Sequence, residues 1–137
     1  MKEKWIQYIR FYEGLRTKPY ICPAGHLTIG YGHNLENGIS QQAAEFILQE
    51  DLQIAQNTVQ QKFAWWRELN EVRRFVLVDM AFNMGINKLA TFKKMLAAAE
   101  KGDYTTAARE MLDSRWAVQV GRRARELAEM MKKGEYV

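Results

Sequence analysis

Residues that break helices are concentrated in one short stretch near the start of the chain, and this concentration is what most constrains the fold. Both prolines and four of the glycines fall between residues 17 and 38, and two short β-prone segments, 19–21 and 27–29, lie among them. Proline and glycine interrupt helices and favour turns, whereas β-branched and aromatic residues favour strands. The stretch therefore predicts a compact β-hairpin, the one strand-like part of the chain.

A long helix is predicted directly after this hairpin. The Ser40 hydroxyl can cap its start, and the periodic pattern continues to about Phe63, which gives roughly 23 residues and a length of about 35 Å. The apolar stripe predicted along this helix consists of Ala44, Leu48, Leu52, Ala55 and Val59. A helix of this length can link two lobes of one domain.

The rest of the chain contains no proline and is predicted to be helical. A central helix begins after Asn70 and ends at Gly85, and it should be buried because it is apolar on more than one face. Later helices are predicted from about Leu89 to Lys101, with Gly102 after it, from Asp103 as N-cap to about Leu112, and from about Arg122 to before Gly134. Ser114–Trp116 is predicted to be a break or a short turn of helix.

Together these elements predict an α+β fold that is mostly helical. We expect one domain of 137 residues, with a β-hairpin lobe over about 13–38, a linking helix over about 40–63 and a larger helical lobe over about 64–137. Two lobes joined by a helix leave a cleft between them. Clefts of this kind are where ligands usually bind.

Composition limits the classes of function. The net charge of +4 and the pI near 9.2 favour association with polyanions, among them nucleic acid, anionic membranes and cell-wall polymers. No run of like charges and no aromatic platform indicates nucleic-acid binding. The single cysteine excludes an internal disulfide and a multi-thiolate zinc site, and two histidines are too few for a typical metal centre. We therefore expect no metal and no cofactor.

Glu13 is the first candidate for chemistry. It follows Trp5, Ile6, Ile9 and Tyr12, which recur at steps of three and four residues and predict an amphipathic helix over the first dozen residues. It lies near the apolar face of that helix, and burial there would raise the pKa of its carboxyl group towards the range that a general acid needs. The alternative is a solvated glutamate at the helix end, and position alone favours that alternative.

The spacing around Glu13 resembles that of the phage-type lysozymes, the family of the T-even bacteriophage lysozymes and glycoside hydrolase family 24. Its signature is Glu, eight residues, Asp or Cys, five residues and Thr, which Glu13, Cys22 and Thr28 match without a gap. The run Thr-Ile-Gly-x-Gly-His is present at 28–33. The likeness resumes in the second half of the chain at 72–74, 80–85, 114–116 and 123–124.

This resemblance implies an inverting hydrolase that cleaves the bond between N-acetylmuramic acid and N-acetylglucosamine in peptidoglycan. Glu13 would protonate the leaving oxygen, and Thr28 would hold the attacking water. Cys22 stands where many relatives have Asp. A thiol is a weaker base than a carboxylate unless a cation such as Arg16 or Arg123 lowers its pKa, so a catalytic role and simple packing both stay open for Cys22.

The resemblance also assigns roles to residues outside the signature. Arg123 would approach Glu13 across the cleft, and His33 would pair with Asp51 on the long helix. Asn34, Phe82 and Asn83 match positions that contact the glycan, although Phe82 could instead belong to the core. Two further positions that contact substrate in relatives differ here, where Met95 and Glu110 stand. For Trp65, Trp66 and Trp116, packing is favoured over sugar stacking.

Two other interpretations stay open at this point. The chain could be a peptidoglycan-binding module that has lost catalysis, or a lytic transglycosylase or chitinase with the same site. The N-terminus shows no signal peptide, and no segment approaches the length of a membrane span. We therefore expect a monomer without stable membrane association, held in the host cytoplasm until a holin gives it access to the wall.

Overall fold

The computed structural model describes residues 2–137, so Met1, which the prediction included in the first helix, lies outside the described residues. Eight α-helices and three β-strands are present in this part of the chain. In chain order they are α1 Lys2–Glu13, β1 Arg16–Ile21, β2 Leu27–Gly30, β3 His33–Asn34, α2 Gln41–Lys62, α3 Glu71–Met84, α4 Ile86–Leu89, α5 Lys93–Lys101, α6 Tyr104–Leu112, α7 Arg115–Val120 and α8 Arg122–Lys133. The predicted α+β, mostly helical class is confirmed.

The described chain divides into two compact units, and the boundary falls between Phe46 and Ile47, inside α2. We call residues 2–46 the N-terminal unit and residues 47–137 the C-terminal unit. The lobe limits predicted from the sequence, and the cleft between the lobes, stay predictions. Within residues 2–137, no helix has both the length and the apolar character that a membrane span requires.

The N-terminal unit contains an antiparallel sheet in the order β1-β2-β3. Tyr20 and Asn34 are the partners of Thr28 on either side of the central strand, so the three residues form a row across the sheet. The two predicted strands are confirmed. The third strand was not predicted, because two residues are too short to show an alternating pattern.

The first helix, α1, forms over the predicted residues and ends at Glu13. The Gly14 amide donates a hydrogen bond of 2.9 Å to the Arg10 carbonyl, and Gly14 has φ +71°, a conformation that glycine adopts without strain. No residue of α1 is buried. The apolar side chains of the helix, including Trp5 and Ile9, are about half exposed or more.

The core lies in the C-terminal unit. Its largest fully buried side chains include Leu77, Met80, Leu89, Met111 and Trp116. The predicted N-caps Ser40 and Asp103 are confirmed, because their side-chain oxygens accept hydrogen bonds from backbone amides three residues later, and Asn70 caps α3 in the same way. Local sequence therefore fixed where these helices begin.

One predicted limit is wrong. The helix expected from about Leu89 to Lys101 begins only at Lys93, as α5, and it follows the short helix α4 and a turn. In that turn the Thr91 hydroxyl donates to the Lys88 carbonyl at 2.6 Å. The break or short turn of helix expected at Ser114–Trp116 is confirmed, because the short helix α7 begins there and Ser114 accepts a hydrogen bond from the Ala117 amide.

The apolar stripe of α2 is buried along only part of its length. Ala55 and Val59 are buried, whereas Ala44, Leu48 and Leu52 are exposed. Periodicity identifies which side chains share a helix face, but it does not say whether another element covers that face. The stripe is therefore part of the core only towards the C-terminal end of the helix.

Candidate active site

Glu13 is the last residue of α1, and its side chain is exposed. The predicted burial against the apolar face of α1 is wrong, because the neighbouring Ile6 and Ile9 are themselves exposed and form no apolar enclosure. The carboxyl group instead lies against the backbone of Gly32, in the loop between β2 and β3. Because Gly32 has no side chain, the carboxyl group can lie close to the backbone of this loop.

Cys22 is half-buried and lies in the turn between β1 and β2. The backbone amide of His26 points at its sulfur, with a distance of 3.4 Å from N to Sγ. This hydrogen bond is the largest cause that lowers the pKa of the Cys22 thiol from its usual value, and smaller contributions come from the amides of Ala24 and Gly25 and from Thr28, against a partial loss of hydration. The backbone amides of the turn therefore lower the pKa of this thiol, which is the effect expected of a cation such as Arg16 or Arg123.

Thr28 is on the central strand and is only 3 % exposed. Its hydroxyl donates a hydrogen bond of 2.8 Å to the carbonyl of His26, the residue whose amide points at Cys22 Sγ. The backbone amide and carbonyl of His26 thus bind the side chains of Cys22 and Thr28, respectively. Because the Thr28 hydroxyl has a single hydrogen, its oxygen can only accept from a further partner.

Two polar residues follow Thr28 in the same unit. Asn34, its partner on β3, uses Oδ1 to accept a hydrogen bond of 2.9 Å from the Glu36 amide, which caps a short 3₁₀ turn. His33 Nε2 is 2.7 Å from the Gly38 carbonyl oxygen. His26 is exposed and has Nδ1 3.1 Å from a carboxylate oxygen of Glu36.

Arg123, on α8, makes a bidentate contact with Asp79 on α3. Its Nε and one terminal nitrogen donate to the two carboxylate oxygens at 2.9 and 2.8 Å, and the Asp79 hydrogen bonds raise the pKa of the guanidinium. Asp79 was missed in the sequence, although it carried a signal. It is the single charged residue in the apolar run 75–82, and a charge on a buried helix usually has a partner.

Two further candidates lie near the end of α3. Asn83 Oδ1 accepts a hydrogen bond of 2.8 Å from Nε1 of Trp116, whose ring is buried. Phe82 is 39 % exposed, so it is not a core residue, and it lines an open cavity of about 330 Å³ together with Asp51. The preference for packing is confirmed for Trp66 and Trp116, which are buried, and for Trp65, which packs against the core.

The candidate residues therefore fall into two groups. Glu13, Cys22, Thr28, His33 and Asn34 belong to the N-terminal unit. Phe82, Asn83, Arg123 and Asp51 belong to the C-terminal unit. The predicted pair of His33 and Asp51, and the predicted approach of Arg123 to Glu13, each join the two units, and both stay predictions.

Comparison with known proteins gives a consistent result. The model of the family described as Phage lysozyme matches residues 10–133, a range that contains every candidate residue named above. The chain is 35 % identical over 116 residues to an endolysin of Acyrthosiphon pisum secondary endosymbiont phage 1, which covers 82 % of this chain and 77 % of that protein. The resemblance first seen in the spacing of Glu13, Cys22 and Thr28 is confirmed.

Two other relatives show how widely this type of domain occurs. Probable T4-type lysozyme 1 of Dictyostelium discoideum is 24 % identical over 156 aligned positions, which cover 92 % of each chain. The pre-baseplate central spike protein Gp5 of Enterobacteria phage T4 is 28 % identical over 147 positions, which cover 86 % of this chain and 26 % of that protein. Similar sequences thus occur both as most of a protein and as part of a larger one.

Proposed function

The chain belongs to the phage lysozyme family, and we propose that Glu13 is the proton donor with which it cleaves the glycan strands of bacterial peptidoglycan. The enzyme is a lysozyme, a glycoside hydrolase that cuts the β-1,4 bond between N-acetylmuramic acid and N-acetylglucosamine. The observation that carries the assignment is the family match over residues 10–133. The assignment of individual residues to steps of the reaction is the proposal.

Glu13 would protonate the glycosidic oxygen as the bond breaks. In an inverting glycosidase the donor must be protonated when substrate is bound. Since the Glu13 side chain is exposed, a glycan that lies over it would replace the surrounding water. Removal from water favours a protonated carboxyl group over a charged one. The substrate itself would then supply the burial that the helix does not.

Cys22 and Thr28 would position the attacking water. The Thr28 hydroxyl donates to His26, so its oxygen is left to accept a hydrogen from that water. The His26 amide lowers the pKa of the Cys22 thiol, which raises its thiolate fraction and makes it a better hydrogen-bond acceptor at neutral pH. Both side chains would orient a water, and the mechanism requires no covalent bond to sulfur.

Asn34, Phe82, Asn83 and Arg123 would contact the glycan. Phe82 offers an exposed ring face, which suits the apolar face of a sugar. The Asn83 oxygen is engaged by Trp116, so its amide nitrogen is the group that remains oriented to donate to a sugar hydroxyl or acetamido oxygen. Arg123 is held by Asp79, which would fix the direction in which its remaining N–H groups point.

In the cell, we expect the protein to be held in the host cytoplasm until a holin opens the inner membrane. The relatives named endolysin support action on the cell wall at the end of a phage cycle. We also expect the protein to act as a monomer. Gel filtration at working concentration tests the last point, and a dimer peak would contradict it.

Product analysis of purified peptidoglycan tests the proposal. Wild-type protein should release fragments with hydrated reducing ends, as detected by mass spectrometry, and Glu13→Gln should lower the rate by about 10²–10⁴-fold because a positioned acid contributes that much. Glu3→Gln is the matched control, because it neutralises another exposed carboxylate of α1 and should keep full activity.

Each other outcome identifies a different error. Full activity of Glu13→Gln would remove Glu13 from the reaction. Anhydro-muramyl ends would indicate a lytic transglycosylase, and cleavage of chitin in preference to peptidoglycan would indicate a chitinase. Binding without any product would indicate a wall-binding module. Circular dichroism of the two variants shows that a lost rate is not a lost fold.

A further inference from the structure

The last turn of α1 meets the loop between β2 and β3 at two points. The Arg10 guanidinium lies over the Tyr31 ring, 5.7 Å from its centroid, a distance at which a cation and an aromatic face attract each other. One helical turn later, the Glu13 carboxyl group lies against Gly32. Both contacts are within the N-terminal unit. Residues 31–32 therefore form a support for the side chain that we propose as proton donor.

The contact at Gly32 leaves no room for a Cβ atom while the Glu13 side chain keeps its position. A Cβ atom at this position would lie 2.5 Å from Glu13 Oε2 and 2.7 Å from Cδ, well inside van der Waals separation. The carboxyl group of Glu13 would have to move away. The space that a side chain would fill at position 32 is the space that the reactive group occupies.

We infer that Gly32 is a positioning residue for Glu13, because its missing side chain allows the carboxyl group to rest on the loop backbone. This inference rests on the proposed role of Glu13 as proton donor. Arg10 contributes by holding the loop through Tyr31. The positive φ of Gly32, +77°, is a second reason for glycine at this position, and a test must separate the two reasons.

The chain offers a matched control two residues away. Gly30 has φ +70°, nearly the same value, so an alanine there would be strained to a similar degree, but its Cβ atom would meet nothing within 4 Å. Gly30→Ala therefore reports the backbone strain alone, whereas Gly32→Ala reports the strain and the displacement of Glu13. The difference between the two variants isolates the contact.

We expect Gly32→Ala to lower kcat about 10²-fold more than Gly30→Ala, because a misplacement of about 1 Å in a reacting group has an effect of that size. KM should change by less than about threefold in both variants, since the loss occurs in the proton transfer and not in binding. The acidic and basic limits of the pH–rate profile should shift in Gly32→Ala and stay in place in Gly30→Ala. Equal kcat losses and unshifted profiles in the two variants would overturn the inference.

A stability measurement covers the case in which Gly32→Ala folds poorly. In the wild-type background Gly32→Ala should lower Tm more than Gly30→Ala does, by about 1–2 °C, because the carboxyl group that has to move is exposed and lies at the end of a flexible side chain. In a Glu13→Ala background the two glycine variants should lower Tm equally, because the carboxyl group that the new Cβ would meet is gone. A difference that persists without Glu13 would contradict the inference.

The two proposals can fail separately. If Glu13→Gln keeps full activity, the proposed function of Glu13 fails, and the Tm comparison still decides whether Gly32 and Glu13 are in contact. If Glu13→Gln is inactive but the two glycine variants behave alike in rate and in Tm, Glu13 keeps its role and the positioning by Gly32 is wrong.

Discussion

Each of the two units is stabilised internally by a different kind of interaction. Within residues 2–46 a single residue, Thr28, is buried, and it is polar. All the buried apolar residues among residues 2–137 lie between Ala55 and Met131, in the C-terminal unit. The N-terminal unit relies on strand pairing, turn hydrogen bonds and glycine conformations, whereas the C-terminal unit relies on packing. The candidate acid and the candidate water-holding residues lie in the unit without a core.

This contrast means that stability and catalysis should respond to different substitutions. A group held by hydrogen bonds near solvent can change its chemistry at little cost in folding free energy. A group in a packed core contributes mainly to folding free energy, because its removal leaves a cavity. Substitutions in the two units should therefore differ in their effects on the free energy of unfolding and on activity.

Replacement of one tryptophan by alanine in each unit should give the largest difference in stability. Trp116→Ala should lower the free energy of unfolding by about 3–5 kcal/mol, because the ring is only 2 % exposed. Trp5→Ala should change it by less than about 0.5 kcal/mol, since Trp5 is 56 % exposed. Guanidinium chloride unfolding measures both values. Similar losses for the two tryptophans would mean that α1 has a covered face and that the contrast is wrong.

Replacement of Cys22 should affect activity without much effect on stability. Cys22→Ala should clear outer-membrane-permeabilised cells about 10²-fold more slowly, because it removes an acceptor for the attacking water. Cys22→Asp should retain activity, since a carboxylate accepts the same hydrogen bond. Unfolding free energies should agree within about 0.5 kcal/mol, because the thiol is outside any core. An alanine variant as active as wild type would reduce Cys22 to packing.

The ion pair of Arg123 and Asp79 should have a smaller effect in the C-terminal unit. Asp79→Ala should lower the free energy of unfolding by about 1–2 kcal/mol, a value discounted because 39 % of the Arg123 side chain is exposed. Asp79→Asn should lose less, because one oxygen still accepts. In an Arg123→Ala background, the stability lost through Asp79→Ala should fall to no more than Asp79→Asn loses in the wild type. That result would show that the ion pair accounts for the loss, whereas a larger loss in that background would mean that Asp79 stabilises the fold through another contact.

The smallest effect is the pH dependence of the Cys22 thiol. The His26 amide and smaller hydrogen bonds hold its pKa below the usual value, so the folded state is favoured above the pKa of the unfolded chain. This contribution is lost as pH falls through the lower pKa of the folded state. The ultraviolet absorbance of the thiolate should titrate at lower pH in the native protein than in the protein unfolded in urea.

Two variants assign the cause of that shift. Thr28→Val should move the native titration only slightly, because the single hydroxyl hydrogen of Thr28 donates to the His26 carbonyl and not to the sulfur. His26→Ala should leave most of the shift, because the backbone amide and not the imidazole donates to the sulfur. A native titration above that of the unfolded protein would mean that loss of hydration outweighs these hydrogen bonds.

Much of the fold was predictable because its signals are local. Ser40, Asn70 and Asp103 mark helix starts through hydrogen bonds to amides three residues along the chain. The β-hairpin follows from its prolines and glycines. The third strand was missed because its two residues are ordered by pairing with β2 and not by their own pattern.

The candidate site was only partly predictable. The spacing of Glu13, Cys22 and Thr28 identified the family, and the family match is confirmed. The Asp79 partner of Arg123 lies 44 residues away in sequence, so only the lone charge in an apolar run indicated it. The burial expected for Glu13 failed because the hydrophobic pattern of a helix does not reveal what covers it.

By itself the sequence determined the order and limits of most elements, the family and the candidate residues for the chemistry, because capping, turn formation and motif spacing depend on neighbours in the chain. Only the tertiary structure decided that Glu13 lies on Gly32, that His26 serves both Cys22 and Thr28, and that Asp79 holds Arg123. The Asp79–Arg123 and Glu13–Gly32 contacts join residues that are distant in sequence, and the contacts of His26 depend on the exact conformation of one turn. They depend on distances of a few ångströms between folded elements, and no pattern along the chain contains those distances.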